Sequence, residues 1–147
     1  MNKIFIILLI FMTSCGYQSL YSGKNNKFVF EKIIQKGNKN INRRIISTLQ
    51  LKEEYNSNSN NEIILDSTKN ITITSKDSKG RAQSYRTSIS LTLTISDDGK
   101  ILKRKAIKKD FSYNKKDNKF DLVEYQLDLE NNLINQIIDD LIIFLNL

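Results

Sequence analysis

The sequence predicts an α+β fold: two helices packed on one face of a four-stranded mixed sheet, in the order β-α-β-β-β-α. Three observations carry this. Ile89, Leu91, Leu93 and Ile95 alternate with Ser88, Ser90, Thr92, Thr94 and Ser96, the period of a strand with one buried and one polar face. Asp97-Asp98-Gly99-Lys100 follows directly and supplies an Asp-Gly hairpin turn. Two other segments, 38–55 and 121–147, carry their apolar residues at helical spacing. A strand-helix-strand crossover is right-handed and makes the first strand parallel to a later one, with the remaining strands following as an antiparallel meander. Helices on one side leave the other side of such a sheet open.

Each element has its own signal. Phe28, Val29, Phe30 and Ile33 form the first strand, which Gly37 ends. Asn38 to Tyr55, with Ile41, Ile45, Ile46 and Leu49 on one side, reads as an amphipathic helix. Asn56 to Asn61 is Asn and Ser only, a loop. Ile63, Leu65, Ile71 and Ile73 mark a second strand ending near Lys76, with an interruption expected around Ser67 to Asn70, where the apolar alternation lapses. The strand returning from the Asp-Gly turn, Ile101 to Tyr113, is less regular. Ile101, Ile107, Phe111 and Tyr113 share one face while Leu102 and Ala106 take the other, a pattern that a bulge or a second contact surface explains.

Asp121 to Glu124 has the spacing of a capping box and opens a helix that runs to the end of the chain. On it Val123, Leu127, Ile134, Ile138, Leu141 and Leu145 form one stripe, and Leu122, Leu129, Leu133, Ile137 and Phe144 form a second. One sheet face cannot cover both. Either the helix is sandwiched between the sheet and the first helix, or one stripe faces a partner.

The start of the chain is of a different kind. Lys3 precedes an unbroken apolar run from Ile4 to Met12, then Thr13, Ser14, Cys15 and Gly16. A basic start, a short apolar stretch and a small-residue cleavage site make 1–14 a secretory signal. The run is shorter than the roughly 20 apolar residues a membrane span requires. Cys15, directly after the small pair, is the only cysteine and is expected to carry a diacylglyceryl group, an anchor that becomes nearly permanent with two or more acyl chains. A plain signal peptide with a chance cysteine is the alternative. On the lipidated reading, 15–26 is the anchor and tether and 27–147 a single domain.

Composition narrows the chemistry. With no histidine and its one cysteine lipidated, the chain has none of the residue pairs used for Ser/His or Cys/His catalysis, zinc sites or haem ligation, and no cofactor beyond the covalent lipid is expected. An enzyme is not expected. The charge is uneven: from Lys76 to Lys119 there are 13 basic residues against 5 acidic ones, a net of +8. From Phe120 onward the six acids have no basic counterpart. A basic middle suits an anionic partner. For an anchored, exported chain that means phosphorylated lipid or polysaccharide and not nucleic acid. A solvated lysine-rich face is the plainer account of any one lysine.

Taken together, Cys15-Gly16-Tyr17, the Gly80 to Tyr85 turn leading into the alternating strand, Asp98-Gly99, the aromatic strand end Phe111 to Tyr113 and the closing helix resemble the lipopolysaccharide-assembly lipoprotein family LptE, also called RlpB. The resemblance spans nearly the whole mature chain. It implies a non-enzymatic outer-membrane lipoprotein on the periplasmic side that sits in the barrel of LptD, aids its assembly and binds lipopolysaccharide. It further implies that lipopolysaccharide is met by basic residues in two loops, which here hold Lys76, Lys79 and Arg81, and Lys115, Lys116 and Lys119. Gly16 after the cysteine is compatible with sorting to the outer membrane. The alternative is an auxiliary periplasmic lipoprotein of a phospholipid-transporting ABC system, and a third reading is a tethered envelope protein without a ligand.

Overall fold

The computed structural model describes residues 28–55 and 60–146. The leader, Cys15, the tether and most of the Asn/Ser loop lie outside the described residues. The elements are β1 (Val29–Phe30), β2 (Lys32–Gly37), α1 (Lys39–Thr48), β3 (Lys52–Glu53), β4 (Asn61–Lys76), β5 (Ala82–Asp97), β6 (Lys100–Asn114) and α2 (Lys119–Asn146). The main sheet has the order β2-β4-β5-β6, with β2 parallel to β4 and the other pairs antiparallel. The α+β architecture is the one expected.

The first strand is two. β1 pairs in parallel with β3, then Glu31 breaks the run and β2 joins the main sheet beside β4. Gly37 does end β2: its φ is +72°, and a Cβ there would sit 2.0 Å from the carbonyl oxygen of Ser67. The tight approach lets the Asn38 amide donate to that oxygen at 2.8 Å. Asn38 then caps α1, its Oδ1 accepting from the amides of Asn40 and Ile41.

α1 stops at Thr48, seven residues before the expected Tyr55. The Leu51 amide donates to Ile46 O and that of Gln50 to Ser47 O, a Schellman end in which Gln50 at φ 52° holds the left-handed place usually given to glycine. The helical periodicity carries no trace of this stop, because Leu49 and Leu51, just beyond it, are both buried and continue the apolar run.

β4 is continuous, without the expected interruption. Its polar inward residues have partners: Ser67 Oγ donates to Asn38 O at 3.1 Å, and Lys69 Nζ meets Glu130 Oε2 of α2 at 2.5 Å. The hairpin of β5 and β6 turns through Asp98 and Gly99, both at positive φ, as a two-residue Asp-Gly turn requires. The bulge also exists. Ile95 faces Lys103 and Ser96 faces Ile101, so Leu102 is the extra residue, and Ile101, beyond it, does not share the buried setting of Ile107.

Ile63, Leu65, Ile89, Leu91, Leu93 and Ile107 face the helices and join Ile41 and Ile45 of α1 and Leu133, Ile137 and Leu141 of α2 in one core. Asn42 is buried with them, its Nδ2 donating to Lys36 O at 2.7 Å. The opening of α2 departs from expectation. Asn118 caps it, accepting from the Phe120 amide at 2.9 Å, while Asp121 lies inside the first turn, where its charge still suits the helix dipole.

Candidate functional site

The sheet outruns the helices at one end. Across β4, β5 and β6 the helix-facing rungs run Ser67–Leu91–Ile107, Lys69–Ile89–Lys109, Ile71–Thr87–Phe111 and Ile73–Tyr85–Tyr113. The first two are covered. In the last two, Ile71, Ile73 and Phe111 are 43%, 51% and 46% exposed.

α2 runs back along the sheet from this end, with Gln126 reaching Tyr113, Glu130 reaching Lys69 and Asp140 reaching Lys109. Tyr113 is the buried hub of the end. Its ring stacks on Tyr85 and meets Tyr125 edge-on, both with centroids at 5.7 Å. Its hydroxyl lies 3.2 Å from Thr87 Oγ1 and accepts from Gln126 Nε2 at 2.9 Å. These contacts fix where the helix begins.

Val123 and Leu127 lie on the same side of α2 as Glu130, at spacings of four and seven residues from Val123. Since Glu130 reaches β4, that side overlooks β4. α1 is held further along, where Arg44 donates to Asn131 and Asn135. The stripe is therefore split: Ile134, Ile138 and Leu141 are buried, whereas Val123 and Leu127 are each 55% exposed. With Ile71 and Ile73, at the same end of the sheet, they leave an apolar strip that the described residues do not cover. The sequence holds its signal in the two apolar stripes of α2, more than one sheet face can cover, but not its location.

The six basic residues expected to act together converge on this end. The β6–α2 connection is brought beside the β4–β5 turn by the Lys115 amide, which donates to Gln83 O at the start of β5 at 2.7 Å. Lys76 closes β4, Lys79 and Arg81 lie in the turn, Lys115 and Lys116 in the connection, and Lys119 opens α2; all six are exposed. They are not equivalent. Arg81 Nε is 2.7 Å from Asp77 Oδ2, while Asp77 Oδ1 accepts from the amides of Lys79 and Arg81. The Arg81 amide, and after it the Arg81 guanidinium, hold the Asp77 carboxyl below the usual carboxylate range. Arg81 is thus a brace of the turn. Lys116 Nζ lies over the Tyr125 ring at 4.8 Å. Among the described residues Lys76, Lys79, Lys115 and Lys119 form no ion pair.

An apolar strip bordered by exposed ammonium groups can take an amphipathic anion, with hydrocarbon on the strip and phosphate on the lysines. Among the described residues no group of three or more acidic, Cys or His side chains is placed to hold a metal, and no helix is long and apolar enough to cross a membrane.

Among solved structures, the rare lipoprotein B from Shewanella oneidensis superposes with a TM-score of 0.59 at 12% identity, over 78% of this chain and 93% of its own. The fold is that of rare lipoprotein B. Lipoprotein B from Nitrosomonas europaea, also 12% identical, gives a TM-score of 0.51 over 80% of this chain and 85% of its own. At such identity the likeness is one of backbone, and no known family profile or curated protein matches the sequence itself. The RlpB-type architecture therefore persists where almost every side chain differs.

Proposed function

We propose that this chain is an outer-membrane lipoprotein of lipopolysaccharide assembly, anchored through Cys15 on the periplasmic side, that forms a complex with the LptD β-barrel, aids its assembly and helps deliver lipopolysaccharide to the cell surface. The observation that carries the reading is the convergence of Lys76, Lys79, Lys115 and Lys119 beside the uncovered strip of Ile71, Ile73, Val123 and Leu127, on a rare lipoprotein B fold. Lipopolysaccharide carries both phosphates and acyl chains, and this end offers a counterpart to each. The role is one of binding and assembly, without catalysis.

Affinity capture of the full chain from its native membranes tests the proposal. The expected result is co-purification of an LptD barrel with bound lipopolysaccharide. Recovery of an inner-membrane ABC transporter in its place, or of no barrel, refutes it.

A further inference from the structure

α2 has a second flank, which faces away from the strip and toward the free edge of β6. We infer that the groove between β6 and α2 receives an extended acidic peptide segment of another protein, which adds to the sheet as a fifth strand.

Three observations meet there. First, among the described residues β6 is an edge strand of 15 residues, so every second residue along it presents outward an amide and carbonyl without a strand partner there. The opposite edge, β2, has only six. Second, β6 and α2 enclose a groove of about 500 Å³, floored by Phe111, Tyr125, Leu129 and Leu133 and rimmed by the amides of Asn132, Asn135 and Gln136, with one acid, Asp139, at its far end along α2. A strand added beside β6 points alternate side chains into that floor, as strand addition next to a helix requires. Third, β6 carries six cations, Lys100, Lys103, Arg104, Lys105, Lys108 and Lys109, against the single acid Asp110. Of these, Lys109 pairs with Asp140 at 2.8 Å and Lys103 Nζ lies over the Phe144 ring at 5.7 Å.

The charge selects the occupant. Lysines on an edge ordinarily deter pairing between like strands, and two copies of β6 brought together oppose their cations. The same row attracts a strand whose outward side chains are acidic. The groove floor adds a preference for aliphatic or aromatic residues at alternate positions.

The test uses the full chain in detergent and a fluorescein-labelled peptide of alternating glutamate and valine, about eight residues long to match a typical strand. Saturable binding in fluorescence anisotropy is expected. N-methylation of alternate peptide residues, which removes edge hydrogen bonds and keeps the charge, is expected to weaken it by about thirtyfold. A lysine-valine peptide is expected not to bind, and Gln136→Trp, which fills the groove from an exposed helix position, to abolish binding of the acidic one. Equal affinity for the N-methylated peptide, indifference to Gln136→Trp, non-saturable binding, or concentration-dependent dimerisation through β6 in sedimentation overturns the inference. None of these outcomes depends on whether a barrel or lipopolysaccharide is bound elsewhere.

Discussion

Replacing Val123 by Thr and Leu127 by Gln tests whether the uncovered strip binds hydrocarbon. Each residue is 55% exposed, so about half of its surface is left for a ligand to cover. Full burial of such a side chain is worth about 1.5–3 kcal/mol, which leaves roughly 1 kcal/mol per residue for the ligand. The pair then contributes about 2 kcal/mol, a loss of about thirtyfold in affinity. The expected loss of folding stability is smaller than a core truncation causes, because Thr and Gln keep much of the aliphatic contact and neither site is closed.

The assay is a titration of the full chain with lipopolysaccharide across a range of salt concentrations. Apolar contacts are insensitive to moderate salt, whereas attraction between exposed charges is screened as the Debye length falls from about 30 Å at 0.01 M to about 8 Å at physiological ionic strength. Val123→Thr with Leu127→Gln is therefore expected to lower affinity by a factor that stays constant with salt. Lys76→Glu with Lys79→Glu is expected to lower it strongly at low salt and little at high salt. Unchanged affinity in the first variant, or a loss that disappears as salt is added, refutes hydrocarbon binding at the strip.

Four further outcomes follow from the same geometry. Gly37→Ala combines a left-handed backbone with a Cβ 2.0 Å from Ser67 O and is expected to cost about 2–5 kcal/mol in urea unfolding, whereas Gly80→Ala, at φ +77° with nothing within 4 Å of the added Cβ, costs about 1–2. Asn42→Ala removes the donor to Lys36 O in a fully buried place and is expected to lower stability by about 2 kcal/mol, read from the same unfolding curves. The Asp77 carboxyl is lowered from 3.8 in the folded chain, so its contribution is complete above that value and is lost as pH falls through the folded pKa. Amide exchange at Lys79 and Arg81 is expected to quicken over that acid range, and Asp77→Asn to remove the pH dependence. Arg81→Lys, which keeps the charge but not the donor geometry toward Asp77, is expected to loosen the turn more than it weakens lipopolysaccharide binding, measured by the same exchange and titration.

What the sequence disclosed depended on whether the signal was local. The alternation of Ile89 to Ile95, the Asp98-Gly99 turn and the irregular phase of β6 are all local, and each has its structural counterpart, down to the bulge at Leu102. The end of α1 is local too, but it is written with Gln50 where glycine is usual, so the period of apolar residues ran on past it. The continuity of β4 was hidden for another reason. Ser67 and Lys69 look like an interruption until Asn38 and Glu130, distant in the sequence, supply their partners. Likewise, the six basic residues could be assigned to two loops from sequence, but that those loops touch depends on the Lys115 to Gln83 bond. The acids of α2, along which no basic residue follows Lys119, find some across space in Lys69 and Lys109.

That pairing explains how one helix serves the fold and two surfaces at once. Its second half is buried at Ile134, Ile137, Ile138 and Leu141, and its ion pairs to β4 and β6 hold it across the sheet. The first turns are held by the polar hub Tyr113, and much of their surface is left uncovered: Val123 and Leu127 overlook β4, while Tyr125 and the buried Leu129 line the groove toward β6. A single helix with two apolar stripes looked like too much hydrocarbon for one sheet face. Part of the surplus, Val123 and Leu127, lies in the half that the core uses least, at the end of the sheet where the lysines of both loops gather. Substitutions at Ile134, Ile137, Ile138 and Leu141 should therefore unfold the domain, and those at the exposed Val123 and Leu127 should change what it binds.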